Sequence, residues 1–190
     1  MLLLVGLGNP GSDYTNTRHN IGFKIIDAIN LHFKLSKQKP KFKGLLTTGN
    51  IEEKKIYAIK PLTFMNNSGT AIKELIDYFK IDAKDVIVFH DDMDIDFGKI
   101  KAKFGGSSAG HNGIESIDKF IGKEYSRVRI GIGHPKEKKK VNNHVLEDFK
   151  EDEEEKIKEI TENIVKQIPT LIDKKMDLFS SKVNQNLNGI

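Results

Sequence analysis

The chain has 190 residues, of which 37% are apolar and 31% charged, a balance that suits one globular domain and excludes a disordered or fibrous chain. It contains no cysteine, which removes disulfides, thiolate-held metals and a thiol nucleophile together and fits a reducing cytosol. The net charge is +4, yet residues 97–140 alone carry 11 Lys and Arg against Glu115, Asp118, Glu124 and Glu137, the footprint either of a phosphate-bearing partner such as nucleic acid or of a solvated lysine-rich face.

The chain opens with the apolar run LLLVG, which reads as a strand buried on both faces, cut off by the turn GLGNPG. That run is too short to span a bilayer and has no basic segment before it, so a soluble, cytoplasmic protein without a membrane partner is expected. Helical spacing of Ile21, Ile25, Ala28 and Ile29 predicts a helix over 20–33. A basic connector, 37–43, then leads to a hairpin of GLLTTGNI and KIYAIK around the charged turn Glu52 to Lys55. A second amphipathic helix is expected over 66–80, followed by DVIVFHDD, the best central-strand candidate because Val86 to Phe89 is uniformly apolar. KIKAKF alternates as a half-exposed strand, FGGSSAGHNG is a glycine-rich loop entering a helix over 112–121, and RVRIGIGHP is a further strand. After a basic loop at 136–140 and an irregular bridge, an acidic helical tail occupies about 150–182, and Pro169 should kink or break it. The order of elements implies an α/β fold: a single three-layer domain over residues 1–190, with a mixed twisted sheet, helices on both faces and the tail packed outside.

Three motif-like patterns invite chemistry that their contexts do not support. Gly6, Gly8 and Gly11 match a dinucleotide fingerprint, but Pro10 and a polar run intervene before the helix, and Asp27 falls in mid-helix. Gly106, Ser108 and Gly110 match a nucleophile elbow, with Asp118 or Asp148 and His134 or His144 as partners, but the strand before them is half charged. Asp91, Asp92, Asp94 and Asp96 offer carboxylates to magnesium, but alternation sends them to both faces. No metal or cofactor is assigned. Another set faces the carboxyl edge of the expected sheet: Asn9 after the first strand, His19 before the first helix, Asn66 and Asn112 opening the next two, and Asp91 ending the central strand. Each asparagine alone reads as a helix cap or a turn residue. Together, a histidine oriented by an aspartate and three amides are equipment for hydrolysing an activated acyl bond with water.

The segments VGLGNPGSDYTNTRHNIGF, KPLTFMNNSG, HDDMDIDFGKIKAKFGGSSAGHNG and VRIGIGHP together closely resemble the bacterial-type peptidyl-tRNA hydrolase family, over residues 2–149 and only weakly in the tail. The resemblance implies a monomeric α/β enzyme, without metal, cofactor or obligatory protein partner, that cleaves the ester joining a peptide to the 3′ end of tRNA. It implies His19 as general base, Asp91 as its partner, and Asn9, Asn66 and Asn112 as amides on the peptidyl ester and water. Tyr14, Phe64 and Met65 take pocket positions, and Lys103 and Arg129, with Lys101 beside them, fall where the family holds the tRNA 5′ phosphate. Asn67, where an apolar residue is usual, and Phe64, often Tyr, depart from the common form. The 105–111 loop resembles a variable lid, and His111 is read either as shaping the Asn112 turn or as touching substrate. A non-catalytic RNA-binding module is the alternative, but it would have lost His19, Asp91 or an amide, and all are present; a serine esterase built on Ser108 is a weaker one.

Overall fold

The computed structural model describes residues 1–135 and 141–187, and the basic loop expected at 136–140 lies outside them. Among the described residues, seven strands form one sheet: β1 (Leu2–Gly6), β2 (Lys39–Lys41), β3 (Gly44–Ile51), β4 (Lys54–Pro61), β5 (Val86–Asp92), β6 (Ile100–Phe104) and β7 (Ser126–Gly131), in the order β2-β3-β4-β1-β5-β7-β6. Strands β4, β1, β5 and β7 run parallel, while β2, β3 and β6 add antiparallel margins. Leu2–Gly6 and Val86–Asp92 are buried along their full lengths, which is why they read as unbroken apolar runs. One face carries α1 (Ile21–His32) and the C-terminal helices α5 (Glu151–Lys166), α6 (Ile168–Ile172) and α7 (Met176–Leu187); the other carries α2 (Ser68–Phe79) and α3 (Asn112–Ile121). This is the expected three-layer architecture with a mixed sheet.

Four details differ from the sequence reading. The basic connector contains β2, whose Pro40 is tolerated because β2 pairs on one side only. The acidic tail is a core layer: Ile160, Ile164, Ile168, Leu171, Phe179 and Val183 are completely buried against the sheet and α1. Its helices reach Leu187, with the break at Gln167 and Pro169 seated in the first turn of α6, where its missing N–H costs nothing. The irregular bridge begins with a short helix, α4 (Val141–His144).

Parallel strands bring their carboxyl ends to one edge, so the segments after β1, β4, β5 and β7 share it. Glycine lets α1 reach that edge. A side chain on Gly6 would meet the carbonyl oxygen of Gly22, and one on Gly22 would meet Leu7 and Phe89, so the start of α1 lies directly on the ends of β1 and β5. This close approach, which no larger residue allows, carries the turn Arg18–Asn20 over the end of β5. Gly6 is therefore explained by helix–strand packing without any dinucleotide.

Candidate active site

A cleft of about 660 Å³ opens at this edge, lined among others by Asn9, His19, Met65, Asn66, Asp91 and Asn112. His19 is 6% exposed and Asp91 2%, and Nδ1 of His19 lies 2.8 and 2.9 Å from the two carboxylate oxygens. Burial alone would push the Asp91 carboxyl up; the electrostatic attraction of the His19 and His111 rings and the hydrogen bonds from both outweigh it and hold the group far below the usual carboxylate range. The ionised carboxylate accepts the Nδ1 proton of His19 and leaves Nε2 of the neutral ring as a base.

His111 completes the arrangement. Its Nδ1 accepts the backbone N–H groups of Gly113 and Ile114 at 3.1 and 3.3 Å, capping α3. An acceptor at Nδ1 places the ring proton on Nε2, which donates to Asp91 Oδ1 at 3.0 Å. One carboxylate thus receives two imidazole N–H groups. The sequence left His111 between two roles; it shapes the turn and also contacts the carboxylate.

The helix starts decide what the asparagines do. Helix α3 is capped by His111, one residue before Asn112. Helix α2 begins at Ser68, after a turn of 3₁₀ helix over Met65–Asn67, and the N–H of Gly69 donates to Ser116 Oγ of α3 at 2.9 Å. Asn66 and Asn112, which read singly as caps and as a set as amides for the ester, cap neither helix, and among the described residues neither amide makes a side-chain hydrogen bond, so both are available at the cleft wall. Asn9 is partly engaged. Its Oδ1 accepts the N–H of Met65 at 2.8 Å, which ties the loop after β4 to that after β1 and turns Nδ2 into the group that can donate. Asn20, which the sequence reading missed, exchanges two bonds of 2.9 Å with the Asn9 backbone. Its signal was only adjacency to His19.

Met65 is buried in the cleft wall and Phe64 is exposed there with φ +57°, while Tyr14 stands edge-on to Phe64 at 6.3 Å, one layer further out. Lys101, Lys103 and Arg129 do not line the cleft. They share one face of β6 and β7, with Lys101 opposite Arg129 and Lys103 opposite Arg127. Partial burial, then Arg129 and Arg127, lower the Lys103 ammonium from its ordinary value, so this corner is short of negative charge. Arg129 Nε donates to Asp92 Oδ2 at 2.7 Å, joining that corner to the residue after Asp91.

The rejected chemistries find no support in the geometry. Ser108 Oγ lies near Glu115 and the Gly110 N–H, while His134 pairs with Asp94 and His144 with the Ile132 carbonyl, so among the described residues no histidine side chain bonds the serine. The aspartates diverge: Asp91 serves the histidines, Asp92 serves Arg129, and Asp94 serves His134. Among the described residues, the donor group compact enough for a metal is His19, Asp91 and His111, and both ring nitrogens concerned hold protons directed at the carboxylate.

A three-layer α/β fold with its polar crevice at the carboxyl edge of the parallel strands defines an enzyme of the α/β class. A family profile described as Peptidyl-tRNA hydrolase matches residues 3–189, and the chain belongs to that family. The peptidyl-tRNA hydrolase of Pelagibacter ubique is 74% identical over 184 residues, covering 97% of this chain and 99% of that protein. That of Bartonella henselae is 45% identical over 189 residues, covering 100% and 98%. The crystal structure of the peptidyl-tRNA hydrolase from Acinetobacter baumannii superposes with a TM-score of 0.90 at 34% identity, covering 97% of this chain and 94% of that one. The relationship continues through the C-terminal helices, beyond Phe149 where the recognisable motifs end.

Proposed function

We propose that the protein hydrolyses the ester between a peptide, or an N-blocked amino acid, and the 3′ end of tRNA, with His19 as general base. The observation that carries the assignment is the buried Asp91 carboxylate receiving Nδ1–H of His19, which orients Nε2 toward the cleft. Nε2 takes a proton from water as the oxygen attacks the ester carbonyl. The amides of Asn9, Asn66 and Asn112 hold the carbonyl and the oxyanion that develops on it. The imidazolium then returns its proton to the departing ribose oxygen, releasing free tRNA and peptide. Every proton in this scheme passes through His19 and water, so it requires neither cofactor nor covalent intermediate.

Peptidyl-tRNA is the partner, with its acceptor end in the cleft and its 5′ phosphate at Lys101, Lys103 and Arg129. The enzyme works as a cytoplasmic monomer, its residues 1–190 acting as one domain. No helix among the described residues is long and apolar enough to cross a membrane. Release of tRNA from N-blocked aminoacyl-tRNA, with free aminoacyl-tRNA as control, tests the reaction. His19→Ala should reduce turnover by about 10² to 10⁴-fold while tRNA binding persists. Near-normal turnover in that variant overturns the assignment.

A further inference from the structure

We infer that Arg18 is a positioning residue for catalysis, its buried guanidinium holding the Val145–Leu146 wall of the cleft against the peptide unit that carries His19. The inference rests on the reading of His19 as base and extends it to what fixes that base in place.

The segment before His19 and the segment before α5 pair through their backbones. Arg18 N–H donates to the Glu147 carbonyl at 3.0 Å, His19 N–H to the Val145 carbonyl at 2.8 Å, and Thr17 bridges to Asp148. Val145 and Leu146 line the cleft, so this short ladder sets the distance between the catalytic imidazole and one wall of its pocket. The Arg18 side chain, 3% exposed, reinforces the same pairing. Nη1 lies 3.4 and 3.3 Å from the carbonyls of His144 and Glu147, Nη2 donates to Glu153 Oε2 at 2.8 Å, and the guanidinium lies 5.5 Å from the Phe149 ring centre. Glu153 is itself fixed, because the same oxygen accepts the Lys150 N–H at 2.9 Å in the first turn of α5. A continuous chain of contacts therefore runs from α5 through Glu153 and Arg18 to the cleft wall and the His19 backbone.

Stability alone accounts poorly for this cation. A buried ion pair contributes little over a well-packed apolar side chain, and here Nε is buried without a partner. What an apolar residue cannot do is grip two carbonyls and a carboxylate in one plane, and lysine, with a single ammonium, cannot span them either. A displacement of about 1 Å at a catalytic base can cost on the order of 10² in rate, so a grip that fixes the His19 peptide unit against the cleft wall bears directly on turnover.

The test compares Arg18→Lys, Arg18→Ala and Glu153→Ala with the wild type and with His19→Ala, following melting temperature and the kinetics of N-blocked aminoacyl-tRNA hydrolysis. Arg18→Lys should fold and lose about tenfold or more in kcat, with KM and salt dependence close to wild type, and the same loss should appear on a short N-blocked aminoacyl ester of adenosine. Guanidinium at millimolar concentration should restore part of the kcat of Arg18→Ala. Glu153→Ala, which leaves Arg18 in place, should lose several-fold in kcat and covers the case in which the Arg18 variants do not fold. A folded Arg18→Lys enzyme with kcat within twofold of wild type overturns the inference, as does a loss confined to KM. So does a Glu153→Ala enzyme with unchanged kcat. In each of these cases an inactive His19→Ala enzyme leaves the base assignment standing, whereas an active one removes the ground of both.

Discussion

Asp91 accepts an N–H from His19 and another from His111, and this double duty makes it hard to replace. An asparagine has one acceptor oxygen, and its NH₂ group facing His19 Nδ1 would turn that nitrogen into an acceptor and move the proton to Nε2, where the base is needed. Asp91→Asn should therefore lose on the order of 10² or more in kcat, measured on N-blocked aminoacyl-tRNA, with little change in KM. A loss below tenfold would mean that the carboxylate only orients the ring. The neighbouring His90 is a different kind of histidine. Burial first, then His111, drive its imidazole well below the ordinary 6.5, and Nδ1 lies 2.7 Å from the Asp91 carbonyl. Its folded form resists a proton that the unfolded chain accepts, so the unfolded state binds more protons below about pH 6.5 and stability falls as pH is lowered through that window. His90→Asn, which keeps a donor toward the Asp91 carbonyl, should lose less melting temperature than wild type between pH 7.5 and 5. His19 and Asp91 were legible in the sequence because strand ends and helix starts converge on one edge of such a sheet. That Asn66 and Asn112 are spared from capping was not, since the groups that serve the helix starts, Ser116 and His111, are supplied by tertiary packing and by a ring whose tautomer no pattern reveals. Each of these two asparagines changed to alanine should cost on the order of 10² in kcat and leave the melting temperature near wild type. A loss of about 1 kcal/mol in stability with intact kinetics would return them to the role of caps.

At the scale of elements, what was legible followed periodicity, and what was missed followed contacts between distant segments. Strands β1, β5 and β7 and helices α1 to α3 declare themselves through apolar runs and helical spacing. Strand β2 does not, because its hairpin with β3 turns through Phe42 and Lys43, both at positive φ, in place of the asparagine and glycine that mark such turns. Burial of Phe42 beside Phe79, with ring centres 5.5 Å apart, offsets that backbone cost. The role of α7 was equally hidden. Strand β6 ends the sheet, and α7 covers its open edge: Ser180 Oγ accepts the Ala102 N–H at 2.8 Å, while Asn184 accepts the Ile100 N–H at 3.0 Å and donates to the Ile100 carbonyl at 2.9 Å. The match is geometric, since four residues of helix rise about 6 Å and two residues of strand about 6.6 Å. Side chains thus substitute for a missing eighth strand and block the edge against pairing with another chain. The double variant Ser180→Ala, Asn184→Ala should lose about 1 to 3 kcal/mol in urea unfolding and self-associate at high concentration, with kcat retained. Unchanged stability and a monodisperse monomer would show that water satisfies the edge.

For the whole molecule, the separation of charge becomes a division of labour: the excess of lysine and arginine that stood out in the sequence lies partly on one face of β6 and β7, beside the cleft and outside it. Lys101 and Lys103 make no direct ion pair among the described residues, although the Asp92 charge acts on Lys103, whereas Arg129 is held at Nε by Asp92. That difference separates two variants that the sequence would treat alike. If Lys103 holds the 5′ phosphate as proposed, its removal leaves the cleft intact, and Lys103→Ala should raise KM for peptidyl-tRNA and lower the slope of log affinity against log salt by about 0.7 to 0.9. Its effect should disappear on tRNA lacking the 5′ phosphate and on a short peptidyl ester of adenosine. Removing Arg129 also strands Asp92 as a buried unpaired carboxylate next to Asp91, so Arg129→Ala should combine the same KM effect with a fall in kcat that the short ester does sense. Arg129→Lys, which keeps a cation near Asp92, should recover kcat more fully than KM. Equal losses for Lys103→Ala on whole tRNA and on the short ester would place Lys103 in the chemistry instead of recognition. An Arg129→Ala enzyme indistinguishable from Lys103→Ala would show that the Asp92 pair carries nothing from the lysine corner to Asp91.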